Sequence, residues 1–149
     1  MFTTRHSNGH LHSRPMTTQN AELDDDSSLW FFMSRKGDPV ADIRAEPIVN
    51  LVYADPGDDT YVSVSGTAAV VEDKAKKQQL WSKLALAWFP GGVDDPSLVL
   101  VTFRPTRAEY WDNTGFNKIA CLWEAARAYV SGETPRTKEG KQHGVVSLS

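Results

Sequence analysis

The chain has 149 residues, the usual size of one domain, and its 40% hydrophobic and 23% charged residues are ordinary for a soluble globular fold. No apolar run approaches the ~18 residues that a membrane span needs, and a net charge of −3 without a basic cluster gives phosphate backbones nothing to be drawn to. Membrane insertion and nucleic-acid binding are therefore not expected. The start, Met1-Phe2-Thr3-Thr4-Arg5, lacks the build of a signal peptide, and Cys121 has no partner for an intramolecular disulfide, so a cytoplasmic location is expected.

Met1 to Arg5 reads as a strand, His6-Ser7-Asn8-Gly9 as a turn, and His10 to Thr17 as the returning hairpin partner. Gln19 to Asp26 is a polar, acidic loop. Leu29-Trp30-Phe31-Phe32-Met33 is too uniformly apolar for a one-sided strand and should be covered on both faces. Asp38-Pro39 signals a short helix capped by Asp38 and closed at Glu46 by Pro47. Ile48 to Ala54 is a strand, followed by the turn cluster Asp55 to Asp59 and a strand from Tyr61 to Glu72. In that last strand Val62, Val64, Ala68 and Val70 make one apolar face, and Gly66 marks a bulge or bend.

Asp73 can cap a second helix in which Leu80, Trp81, Leu84 and Trp88 share a face, stopped by Phe89-Pro90-Gly91-Gly92. Leu98 to Phe103 is a strand ended by Pro105. Lys118 to Val130 is a helix with Ile119, Leu122, Trp123, Ala126 and Val130 as its apolar stripe. Residues 132–149 are a linker and then a strand at Val145 to Leu148 or a loose tail. The whole is one domain, 1–149. About six strands with separate helices predict an α+β, mainly β fold, an antiparallel barrel with peripheral helices.

Few residues carry chemistry on their own. His6, His10 and His12 lack the further ligands and supporting shell of a metal site, and read as polar edge-strand residues. Cys121 lies beside an apolar helical stripe and reads as a small hydrophobe. Trp81, Trp88 and Trp123 have helical spacing and are assigned to the core, whereas Trp30 and Trp111 are freer for stacking or an interface. No Gly-x-Ser-x-Gly elbow, phosphate-cradling glycine loop or Gly-x-Gly-x-x-Gly fingerprint occurs.

Several blocks in order resemble the general stress protein 26 family, within the pyridoxamine 5′-phosphate oxidase-like FMN-binding split barrels. They are Leu11-His12-Ser13-Arg14-Pro15-Met16, Leu29-Trp30-Phe31-Phe32, Val49 to Pro56, Tyr61 to Ala68, Ala87-Trp88-Phe89-Pro90-Gly91-Gly92 and Ala108-Glu109-Tyr110-Trp111-Asp112. The resemblance implies a six-stranded antiparallel split β-barrel that forms a homodimer, with FMN in each of two clefts between subunits. By position it implies that Ser13, Arg14, Pro15 and Met16 border the flavin, with Arg14 near its polar edge or phosphate. Phe32, Met33 and Ser34 would line the same cleft, and Trp111 would reach it from the partner subunit. Apolar walls suit a flat ring, and a cation suits a phosphate.

Three departures from the family pattern shape the expectation. Met33 and Gly37 stand where phosphate-binding hydroxyls are usual, Asp38 sits beside them, and Pro39 replaces the usual lysine, which leaves Ser34, Arg35 and Lys36 to assist Arg14. No Arg-x-His triplet follows Trp111, so vitamin B6 oxidation is not expected. The helix that often precedes the first strand is lacking, so part of the barrel should be less covered. The leading expectation is an FMN-binding stress-associated protein, at most a weak FMN-dependent oxidoreductase in which His12 is a base only if it faces the cleft. Two others differ in class: a cofactor-free split-barrel interaction module, and a barrel holding another flat cofactor, haem with His10 or His12 as axial ligand or deazaflavin.

Overall fold

The computed structural model describes residues 1–20, 27–112 and 143–147. The helix expected over Lys118 to Val130, with Cys121 and Trp123, lies outside them. The chain opens with a hairpin of β1 (Phe2–Arg5) and β2 (Leu11–Arg14), closed by a turn in which Gly9 takes φ +86°. Next come β3 (Leu29–Ser34), α1 (Asp38–Ala45), β4 (Ile48–Asp55) and β5 (Thr60–Val71). α2 (Lys74–Leu80) and two short 3-10 segments (Lys83–Ala87 and Gly92–Asp94) lead into β6 (Leu98–Asp112), and β7 (His143–Ser147) completes the described chain. Every pairing is antiparallel. Six strands curl in the order β2-β1-β4-β5-β6-β3, with β7 beside β6, which is the mainly β split barrel that was expected.

Two hydrophobic clusters flank the β3–β6 pair. Leu29, Phe31 and Met33 pack with Val99, Val101 and Phe103 into the barrel core, where Phe2 meets Phe31 edge to face at 5.1 Å between ring centroids. The opposite face places Phe32, Leu98 and Leu100 against Ala85 and Phe89, with Trp30, Leu80 and Trp81 at the margin. β3 is thus covered on both sides, as its uniform apolarity requires.

The second helix is shorter than its pattern predicts. Asp73 caps it, accepting from the Lys76 N–H at 2.8 Å, but the helix ends at Leu80 and Ser82 takes an extended conformation. The three-four spacing of Leu80, Trp81, Leu84 and Trp88 therefore spans two separate elements. Leu84 is 85% and Trp88 82% exposed, so the assignment of Trp88 to the core is corrected. Trp30, read as freer for stacking or an interface, is half-buried, with the Lys76 ammonium 5.2 Å from its ring centroid. Asp38 does not cap α1: Gly37 occupies that position with no side-chain cap, and Asp38 is in the first turn.

β6 also departs from expectation by running through Pro105. Ser65 pairs with Arg107 and Gly66 with Pro105, so Thr106 is an extra residue on β6, its hydroxyl donating to the Ser65 carbonyl at 3.1 Å. A proline is tolerated there because the ladder is already interrupted. The bulge anticipated at Gly66 has a steric reason. A Cβ on Gly66 would run into the Arg104 carbonyl oxygen and come within 2.6 Å of the Phe103 ring.

α1 is fastened to the opening hairpin by a buried polar chain. The Arg14 guanidinium donates to the Thr4 hydroxyl at 2.8 Å, which donates to the Asp42 carboxylate at 2.6 Å. The other Asp42 oxygen accepts from His6 Nδ1 at 2.8 Å, and the His6 ring stacks on His12 at 5.1 Å. Asp42 is only 3% exposed. Burial by itself would push its carboxyl up, but the hydrogen bonds from Thr4 and His6 and the charges of His6 and Arg14 outweigh that and hold it below the ordinary carboxylate range.

Two outcomes are expected. Gly66→Ala should cost about 3 kcal/mol, because the clash is with backbone and a core ring; urea denaturation measures it. The unfolded Asp42 carboxyl titrates near ~3.9 and the folded one lower, so its stabilisation is complete above about pH 4 and is lost as pH falls through the folded value. Asp42→Asn should accordingly lose less stability than the parent as pH falls from about 5 through the folded value, whereas Asp42→Ala, which removes the acceptor of Thr4 and the partner of His6, should cost about 3 kcal/mol at pH 7.

Candidate functional site

Where the chain leaves β2, where β3 ends, where α1 begins and where the first 3-10 segment crosses, the elements leave a cleft of about 490 Å³. That is the size of a small-molecule site. β3 sets one wall: Phe32 comes from the outer cluster, Met33 from the barrel core, and Ser34 from the strand end. Pro15 and Met16 follow β2 and form a second wall, with Met16 packed against the barrel core. Gly37 and Pro39 bring the start of α1 to the floor, and Leu84, Ala85, Trp88 and Phe89 close the far side.

Of the eight residues implied by resemblance and the assisting Lys36, Pro15, Met16, Phe32, Met33 and Ser34 meet in this cleft. Ser13 is exposed and bonds Thr3 hydroxyl to hydroxyl at 2.7 Å, on the strand face opposite Arg14. Arg14 ends in the Thr4–Asp42 chain, and Lys36 is exposed. Neither lines the cleft. Trp111, 40% exposed on β6, pairs with Tyr61 and stands on the outer face of the sheet. His12 stacks on His6 instead of facing the cleft, and His10 is exposed, so no histidine is among the lining residues.

Among the described residues the lining contains no charged side chain. Of the cations that the sequence offers nearby, Lys36 is exposed, Arg14 donates one N–H to Thr4, and Arg35 is held in an ion pair. Arg35 donates to the Glu72 carboxylate at 2.6 Å and to the Pro96 carbonyl at 3.1 Å. That hydrogen bond holds the Glu72 carboxyl below its ordinary range and raises the Arg35 guanidinium above its own. The start of α1 adds little, since Pro39 has no N–H and the Val40 N–H donates to the Gly37 carbonyl at 3.1 Å. What remains polar is neutral: Thr17, Gln19, Ser34, Ser82 and Ser97. The cleft can hold a flat apolar body with hydrogen bonds at its edge, and among the described residues no cation stands in its lining.

Leu84 and Trp88 were missed as lining residues. Their helical spacing pointed to a core face, and only the Phe89-Pro90-Gly91-Gly92 breaker hinted that the segment ends early. Elsewhere, no group of three or more metal-ligating side chains occurs among the described residues, and no helix among them is long and apolar enough to cross a membrane.

Comparison with known proteins gives this geometry its context. Residues 1–136 match the family model described as pyridoxamine 5′-phosphate oxidase like. Protein bli-3 of Neurospora crassa is 26% identical over 145 residues, covering 89% of this chain and 67% of its own. The general stress protein 26 of Bacillus anthracis is 26% identical with a TM-score of 0.63, over 73% of this chain and 80% of its own. The general stress FMN/FAD binding protein of Xanthomonas citri is 28% identical with a TM-score of 0.62, over 77% of this chain and 81% of its own. With the fold, the cleft and a match over most of its length in agreement, the chain belongs to the pyridoxamine 5′-phosphate oxidase-like family.

Proposed function

We propose that this protein binds FMN, with the isoalloxazine ring in the cleft between β2, β3, α1 and the first 3-10 segment. The observation that carries the reading is the convergence of Pro15, Met16, Phe32, Met33 and Ser34 on one cleft of about 490 Å³. Phe32 and Met33 supply apolar wall, and Ser34 and Ser97 supply hydroxyls that can meet the polar edge of a ring. The residues present fit the ring portion of the group. Ser13, Arg14 and Lys36 lie outside the cleft wall, so in this reading they serve the ribityl phosphate only from its margin.

A bound flavin would supply hydride and electron transfer. The protein positions the ring and shields it from water; no titratable side chain among the described lining residues stands ready to move a proton. The reading is therefore of a flavin-binding stress-type protein in which any oxidoreductase activity rests on the flavin itself. It also takes the molecule as a homodimer. The outer face of β4, β5 and β6 presents Ile48 at 63% exposure with Tyr61 and Trp111 beside Asn50, Ser63, Ser65 and the Arg107–Glu109 ion pair, and its exposed apolar side chains support a subunit interface that would bring Trp111 to the partner's cleft. The one cysteine, without a partner in the chain, suits a cytoplasmic setting.

Purified protein should be yellow, with absorption near ~450 nm, or should acquire that absorption on titration with FMN to one equivalent per chain. Sedimentation should give twice the chain mass. A colourless protein that takes up no added FMN would overturn the proposal.

A further inference from the structure

We infer that Thr4 and Asp42 are positioning residues of the flavin site: the chain from Asp42 through Thr4 holds the Arg14 guanidinium in one orientation, from which its remaining N–H groups meet the flavin phosphate at the cleft margin. This rests on the flavin reading above and assigns the residues that set its preference for a phosphorylated flavin. Arg14 is half-buried at the last position of β2, and the next two residues, Pro15 and Met16, line the cleft. Its partner in the ladder is Phe2, so Thr4 is its diagonal neighbour on the same face of the hairpin, within reach of a long side chain.

The polarity of the chain is fixed. Thr4 is fully buried and its hydroxyl carries a single proton. An ionised carboxylate only accepts, so that proton goes to Asp42 at 2.6 Å, and the hydroxyl's lone pairs are left to Arg14 Nη1, which donates at 2.8 Å. The Asp42 carboxyl is held below its ordinary range and keeps its charge at neutral pH, while His6 Nδ1 meets its other oxygen at 2.8 Å and fixes the acceptor from the far side.

Packing alone does not call for such a chain. Burying a carboxylate is offset only by its partners, and apolar side chains of similar shape would join α1 to the hairpin as well. They would not hold a guanidinium. A loose arginine surrenders rotamer freedom when it meets a phosphate, whereas one already bonded to Thr4 surrenders it on folding. Thr4 takes one of the five guanidinium N–H groups, and the planar fork carries the others in directions that this bond sets.

The test titrates FMN and riboflavin, which differ only in the phosphate, into the full-length protein at about 0.05 M salt, followed by flavin fluorescence. The parent should bind FMN about tenfold or more tightly than riboflavin. Thr4→Val, which keeps the shape and removes the hydroxyl, should weaken FMN about fivefold to tenfold and leave riboflavin unchanged, and Thr4→Ser should restore the preference. In an Arg14→Ala background Thr4→Val should change neither affinity further. Asp42→Asn, whose carboxamide no longer commits the Thr4 proton, should also weaken FMN alone and gives the same readout if Thr4→Val does not fold, which thermal unfolding checks. Equal affinity of the parent for the two flavins would overturn this inference and leave the flavin reading standing. So would a preference that stays at the parent's value in Thr4→Val or Asp42→Asn, or that falls because both flavins weaken alike. Failure of the parent to bind either flavin would overturn the flavin reading itself.

Discussion

The structure depends on one constraint: the β3–β6 pair has no polar face. Phe31 and Met33 point into the barrel while Phe32 points away from it, and their partners Val101, Val99 and Leu100 are equally apolar. Each large side chain left in water would forgo about 1.5–3 kcal/mol, so a second layer outside the barrel is obligatory. The segment between β5 and β6 supplies it, with Leu80, Trp81, Ala85 and Phe89. The cleft is a consequence, for it opens where β3 passes from between these two layers and Ser34 at its end is left exposed.

The same constraint explains why the outer layer is made of short pieces. A continuous helix from Asp73 to Trp88 would carry one straight stripe, whereas the surface it must cover is the twisted back of a sheet. Breaking at Ser82 and resuming as a 3-10 turn lets Ala85 and Phe89 reach Phe32 while Trp88 and Leu84 turn outward. The break costs helical hydrogen bonds and gains a pinned aromatic at the cleft rim.

Much of the fold was legible because local chemistry and global packing agree. Asn8-Gly9 closes the hairpin, Gly66 sits where a Cβ has no room, Asp73 caps its helix, and the unbroken run Leu29 to Met33 announces burial on two sides. The misreadings arise where two patterns share a spacing. Three-four periodicity does not distinguish one helix from a helix followed by a 3-10 turn, so Trp88 was placed in the core. Pro105 reads as a strand end from sequence alone, and only the extra residue Thr106 opposite the bulge makes it compatible with a 15-residue strand. Asp38 followed by proline has the look of a cap, yet the chain begins its helix one residue earlier, from a glycine that makes no side-chain cap.

The apolar half of the candidate site was legible because neighbours in sequence remain neighbours at a strand end: Pro15 with Met16, and Phe32 through Ser34. The electrostatic half was not, because the fate of a cation is decided by residues far along the chain. Arg35 is claimed by Glu72, 37 positions away, and Arg14 by a path through Thr4 to Asp42 on α1. Counting arginines and lysines near a motif overstates what a ligand can use, since a guanidinium bonded within the fold is held in place and offers a ligand only its remaining N–H groups. Here Asp42, reached from Arg14 through Thr4, docks α1 onto the hairpin, and Glu72, bonded to Arg35, docks the end of β5 onto the strand before α1. The fold uses this nearby charge for cohesion.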